Sequence, residues 1–294
     1  MKKQYIYAGI SIFGWSTAAV VTKLLLNTGV SNIQLLWVSS FCAFLFLFFV
    51  NLFTGKLQQL CAYKPRDLLL SVAIGLPGTF FYYIFYYWGA AQMPASQAFI
   101  INYLWPIMSL IFAIIILKEK ATLRSILAIC LSFFGIGIIM VGNVGDEKST
   151  FLAGAISCIL AAVSYGLFTA LNRKFSYDKG ISMMLNYLIA FLLTTIINAV
   201  TNDLFLPGAW QWVGCSWNGV VTMAIASTLW LLALGKGKTG KISNLAYITP
   251  FLSISWTFIV LGDDISIYTM LGFVVIILGI VLQLKPLHEN KQKA

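Results

Sequence analysis

The stretch that decides the fold reads Ala95-Ser-Gln-Ala-Phe-Ile-Ile-Asn102-Tyr103-Leu104-Trp105-Pro106-Ile-Met-Ser-Leu-Ile-Phe-Ala-Ile-Ile-Ile-Leu117. It holds no charge from end to end. As a helix rising about 1.5 Å per residue it is long enough to cross a hydrocarbon layer about 30 Å thick. Its apolar residues do not alternate with polar ones, so a barrel strand is excluded. The proline sits at its centre, directly after Asn, Tyr and Trp.

Nine more runs of this kind flank it: 5–26, 33–53, 68–88, 123–142, 151–172, 182–200, 217–235, 242–261 and 266–284. The whole 294-residue chain agrees, being 60% hydrophobic and only 10% charged, with mean hydropathy +0.89. Soluble domains run at about 45–50% and about 25%. These figures exclude a soluble globular fold, disorder, collagen and a coiled coil. The start, Met-Lys-Lys before Tyr5–Leu26, mimics a signal peptide. The apolar run is too long for one and is read as the first span. The expectation is an all-α membrane protein of ten transmembrane helices.

Charge placement sets the orientation. With the N-terminus in the cytoplasm, 17 of the 19 Lys and Arg fall on cytoplasmic segments, leaving Lys148 outside and Lys23 within a span. This follows the positive-inside rule and puts both termini in the cytoplasm. The net charge of +10 therefore marks topology and contact with membrane lipids, with no nucleic acid as partner. Five dispersed cysteines and a single His288 in the tail give neither a disulfide framework nor a metal site. Gly235-Lys-Gly-Lys-Thr-Gly-Lys241 matches a phosphate-binding loop in spacing. It follows a transmembrane run rather than a strand and lacks the next Ser or Thr, so it is read as a basic turn. No cofactor and no catalytic constellation are expected.

Shifted by 144 residues, the chain meets itself: Tyr103 falls on Tyr247, Pro106 on Pro250, Ser109 on Ser253 and Gly135 on Gly279. Each half has five spans, so the second enters the membrane from the opposite side. Residues 1–145 and 146–294 are expected to be inverted five-helix repeats, a plan that places substrate near the midplane between halves.

The sequence resembles the drug/metabolite transporter superfamily, in its EamA-type ten-helix members. Carrying the resemblance are Gly14-Trp15-Ser16, Asn102-Tyr103-Leu104-Trp105-Pro106 with Lys118-Glu119-Lys120, Gly135-Ile-Gly137, Ser164-Tyr165 with Asn172-Arg173-Lys174, and Tyr247-x-x-Pro250 with Gly279. The Asn-Tyr-Leu-Trp-Pro segment is most similar to the aromatic amino acid exporter branch. After its ninth span the family usually carries Gly-Glu; this chain has Gly262-Asp263-Asp264. The resemblance implies export of small metabolites by alternating access. Amino acids, aromatic ones included, are the expected substrate class, with other metabolite or drug efflux and lipid flipping as alternatives.

Candidate site residues follow from polarity at mid-depth. Pro106 and Pro250 break the fourth and ninth spans and free the carbonyls four residues back, at Asn102 and Ala246. In lipid those carbonyls must find protein, water or substrate. Trp15, Ser16, Tyr83, Asn102, Tyr103, Trp105, Tyr165 and Tyr247 are the expected substrate-binding set, because ligand cavities are apolar with a few polar groups. The alternative for the aromatics is an interfacial belt, which suits Trp210, Trp212 and Trp217. Lys23 and Arg173 are candidate mouth charges, against simple snorkelling for Lys23. No Asp or Glu lies in a predicted span, so a carboxylate proton relay is missing, and the expectation is a facilitator or weak proton coupling through a group other than an acid.

Overall fold

The computed structural model describes residues 2–142, 148–175, 178–234 and 244–284. The basic turn at 235–241, the expected boundary between halves at 145 and the tail with His288 lie outside the described residues.

Among those residues, seven helices are long and apolar enough to cross a membrane. They are α1 (Lys3–Leu26), α2 (Asn32–Phe53), α3 (Pro65–Gln92), α4 (Ala95–Ile116), α5 (Leu123–Val141), α6 (Ser149–Lys174) and α7 (Lys179–Val200). Three further helical stretches follow: α8 over 209–234, α9 (Ile248–Leu261) and α10 (Ile267–Leu284).

Helix starts are written in the sequence. Ser31 Oγ accepts from Gln34 N–H at 3.2 Å while the Gln34 side chain accepts from Ser31 N–H at 3.0 Å, a reciprocal cap on α2. Asp178 caps α7 through Ile181 N–H at 3.0 Å, and Pro65 opens α3. One boundary moves. The eighth run was expected at 217–235, but α8 begins at Ala209, so Trp210 and Trp212 lie in its first turns. Pro207 precedes it, and Gln211 turns back to accept from Gly208 N–H at 2.8 Å, closing the helix start there.

Several helices are broken mid-length. Thr17 interrupts α1, Tyr103–Leu104 interrupts α4, and a short 3₁₀ turn at Asn244–Tyr247 leads into α9. Wider π-helical turns occupy Pro77–Phe81 of α3, Trp217–Ala226 of α8 and Thr257–Leu261 of α9. Such turns loosen the backbone ladder and concentrate at functional sites.

Packing partners come in matched sets. Helix α3 packs on α6, and α8 on α1; α4 packs on α6, and α9 on α1; α2 packs on α8, and α7 on α3. Helices α2 and α7 pack on each other, as do α5 and α10. Exchanging every helix with the one five places along leaves this set unchanged. The α5–α10 contact is close because a Cβ on Gly135 would stand 2.7 Å from the Gly272 carbonyl oxygen. The α3–α6 contact rests on Gly89 and Gly154, where a Cβ on Gly89 would stand 2.8 Å from the Gly154 carbonyl oxygen.

Candidate functional site

A cavity lies where the broken segments of α1, α3, α4, α8 and α9 face α6. It is lined by Trp15, Thr22, Tyr82, Tyr83, Tyr86, Tyr87, Asn102, Tyr103, Trp105 and Tyr165 with Asn218, Thr222, Ser227, Ala246 and Thr249 among others. Among the described residues the lining contains no Asp, Glu, Lys, Arg or His. At about 60 Å³ it has room for roughly four to six waters, at about 10–15 Å³ each.

Its walls are aromatic for a local reason. Tyr82, Tyr83, Tyr86 and Tyr87 follow the π turn of α3 directly, and all four reach the cavity. Tyr82 stands 4.9 Å from the Tyr165 ring, and Trp105 meets Tyr165 edge-on at 5.2 Å. Trp15 meets Trp230 edge-on at 5.4 Å. Edge and tilted contacts at such separations suit the ring quadrupoles.

Polar groups are few and incompletely satisfied. Asn102 donates from Nδ2 to the Tyr82 hydroxyl at 3.0 Å, and Asn218 donates to Thr22 Oγ1 at 3.3 Å. The Oδ1 atoms of both asparagines, the Tyr86 hydroxyl and the hydroxyls of Thr222 and Thr249 are buried without a partner. Buried polar atoms are nearly always paired, so a set of orphans around one cavity calls for a ligand or water. Together they offer carbonyl acceptors and hydroxyls, with aromatic faces between them and no net charge.

The prolines show how the backbone is kept satisfied. Pro250 cannot donate to the Ala246 carbonyl four residues back. The Tyr103 hydroxyl, from the other half of the chain, donates to that carbonyl at 2.6 Å. The kink of α9 is thereby tied to the break of α4, three residues before Pro106.

Of the residues expected from sequence, Trp15, Tyr83, Asn102, Tyr103, Trp105 and Tyr165 come together around this cavity. Ser16 does not line it: its hydroxyl donates to the Phe13 carbonyl at 2.8 Å and accepts from Trp256 at 3.2 Å. The Tyr247 side chain lies outside the described part of the structure, although the neighbouring Ala246 lines the wall. Lys23 is engaged rather than snorkelling, donating to the Ala90 and Met93 carbonyls, each at 2.9 Å. Arg173 is paired with Glu119 at 2.5 Å. Thr22, Asn218, Thr222 and Thr249 also belong to the lining. A lone Thr or Asn in an apolar run gives no signal by itself; the π turn that exposes Asn218 and Thr222 is invisible in composition.

The description of the EamA-like transporter family matches residues 2–141 and 152–284. An uncharacterized transporter of Bacillus subtilis, YxxF, is 26% identical over 266 residues, 88% of this chain and 83% of that protein. The aromatic amino acid exporter YddG of Ancylobacter novellus is 23% identical over 186 residues, 61% of this chain and 63% of that protein. A crystal structure at 16% identity superposes with a TM-score of 0.69 over 98% of both chains, a likeness of fold.

Proposed function

Because the chain belongs to the EamA-like transporter family and is a multi-pass protein of the cell membrane, we propose that it exports small uncharged or zwitterionic metabolites by alternating access. Amino acids, aromatic ones included, are the substrate class. The observation that carries this is the aromatic, charge-free cavity with its orphaned carbonyl and hydroxyl groups. An ammonium would sit against the Asn102 and Asn218 oxygens and ring faces; a carboxylate would take the hydroxyls. A net-charged substrate such as a sugar phosphate would enter with no counter-ion, at a large desolvation cost.

In this reading α1 to α10 are ten spans in two inverted halves with both termini in the cytoplasm. The exchangeable packing partners and the repeat at 144 residues support it. Pro106 and Pro250 then flank the cavity as hinges, one from each half. Similarity to the YddG exporter favours the aromatic end of the range.

The test is a growth-resistance screen of overexpressing cells against amino acids and their toxic analogues, followed by export of the radiolabelled hit from preloaded cells. Resistance with faster efflux is the expected result. No resistance to any amino acid or analogue would remove that substrate class.

A further inference from the structure

The shift of 144 residues that sets Tyr103 on Tyr247 also sets Glu119, just after α4, on Asp263, just after α9. Each half also ends its first helix in a base: Lys23 is in the last turn of α1 and Arg173 in the last turn of α6. The fold brings each acid to the opposite half: Glu119 to Arg173, and Asp263 to the start of α4. Arg173 Nη2 meets Glu119 Oε1 at 2.5 Å. At the other mouth Asp263 and Lys23 both grip the turn between α3 and α4. Lys23 holds the Ala90 and Met93 carbonyls, and Asp263 Oδ2 accepts from Ser96 N–H at 3.0 Å.

The two clusters sit at opposite ends of the pathway. Ser96 begins α4 and Glu119 follows its end, so the 22 residues of that helix separate them by roughly 33 Å. Asn102, Tyr103 and Trp105 put the cavity between them. Both ends are held in this structure, and the cavity is correspondingly narrow at about 60 Å³. The groups differ in exposure. The Arg173 and Glu119 side chains are 52% and 43% exposed, whereas Lys23 is half-buried. A solvated pair of this kind is weak and readily broken, which suits a contact remade in every cycle better than a structural staple.

We propose that the Arg173–Glu119 pair and the Asp263–Ser96 contact are counterpart latches, one at each mouth, and that the transport cycle releases them in alternation. This rests on the transporter reading above. A ligand that widens the cavity can do so by freeing either end, and the cross-half pairing ensures that each latch spans the parts that must separate.

The test is side-specific labelling. Thr222, on the cavity wall, is replaced by Cys in a chain whose five native cysteines are replaced by Ala or Ser. Right-side-out and inside-out membrane vesicles are treated with a membrane-impermeant maleimide. Glu119→Gln should raise labelling several-fold from one side, and Asp263→Asn from the other. Glu119→Arg combined with Arg173→Glu, which restores the pair with reversed charges, should return labelling to the parent level. Unchanged labelling in both single variants, or a rise from the same side in both, would overturn the latches. Where Glu119→Gln does not accumulate, Arg173→Gln probes the same pair. If neither accumulates but the charge-swapped chain does, the pair is a folding element and the proposal fails. Labelling requires no substrate, so a chain that labels as expected yet exports nothing would overturn the export reading alone.

Discussion

The Tyr103 hydroxyl donates at 2.6 Å to the Ala246 carbonyl, the one that Pro250 deprives of its helical partner. One half of the chain thus completes the backbone of the other at the wall of the cavity. Tyr103→Phe keeps the ring and removes the donor. Leaving a buried carbonyl without it costs about 1–3 kcal/mol, so the melting temperature in detergent should fall by several degrees and export should slow. An unchanged melting temperature would mean that water replaces the hydroxyl.

Asn102 presents an unpartnered Oδ1 at the cavity while its Nδ2 donates to Tyr82 at 3.0 Å. Asn102→Leu removes both without adding charge. The expected outcome is at least a tenfold loss of resistance at normal membrane abundance, and the same for Trp15→Ala. Resistance unchanged in both would take these residues out of the binding site.

Gly135 and Gly137 look alike in the sequence but not in the fold. A Cβ on Gly135 would meet the Gly272 carbonyl oxygen at 2.7 Å, whereas a Cβ on Gly137 meets nothing within 4 Å. Gly135→Ala must push α5 from α10 and should destabilise by about 1–3 kcal/mol. Gly137→Ala should be neutral or stabilising by up to about 1 kcal/mol, since Ala is the better helix former. Thermal unfolding of the two variants side by side decides this.

Asp178 joins the start of α7 to Lys56, at 3.0 Å. Burial works to raise its carboxyl, but hydrogen bonds from Ile181 N–H and Lys56 outweigh that and hold it below the usual carboxylate range. A depressed value in the fold gives stability above the unfolded value of about 4, lost as pH falls through the folded one. The pair is partly exposed, so the effect stays under about 1 kcal/mol. Melting temperature should drop between about pH 5 and pH 3, and drop less in Asp178→Asn.

Among the described residues no carboxylate or histidine lines the cavity, so none of them is suited to carry a proton in step with substrate. In reconstituted vesicles a pH gradient should not drive accumulation of substrate above equilibrium. Strong proton-driven accumulation would place a coupling group elsewhere in the chain.

The long apolar runs and the break at Pro106 were legible because bilayer thickness and proline chemistry act locally. Five aromatics expected from sequence and Asn102 lie together at one cavity. Ser16 was misread because mid-depth polarity does not say which way a hydroxyl turns, and it turns to Phe13 and Trp256. Asn218 and Thr222 were overlooked because a π turn shifts which face of α8 points inward. The close approach of α6 to α3 is made by Gly154 and Cys158 against Gly89, while Ser157 donates to the Phe85 carbonyl at 2.7 Å.

In the packing set, α2 touches α7 and α5 touches α10, so in these two places a helix meets its own counterpart. In the two-halves reading proposed above, such self-matching contact is the geometry of a twofold dimer carried within one polypeptide. A substitution on that surface acts from both sides of one seam, as Gly135 and Gly279 do in facing α10 and α5 respectively.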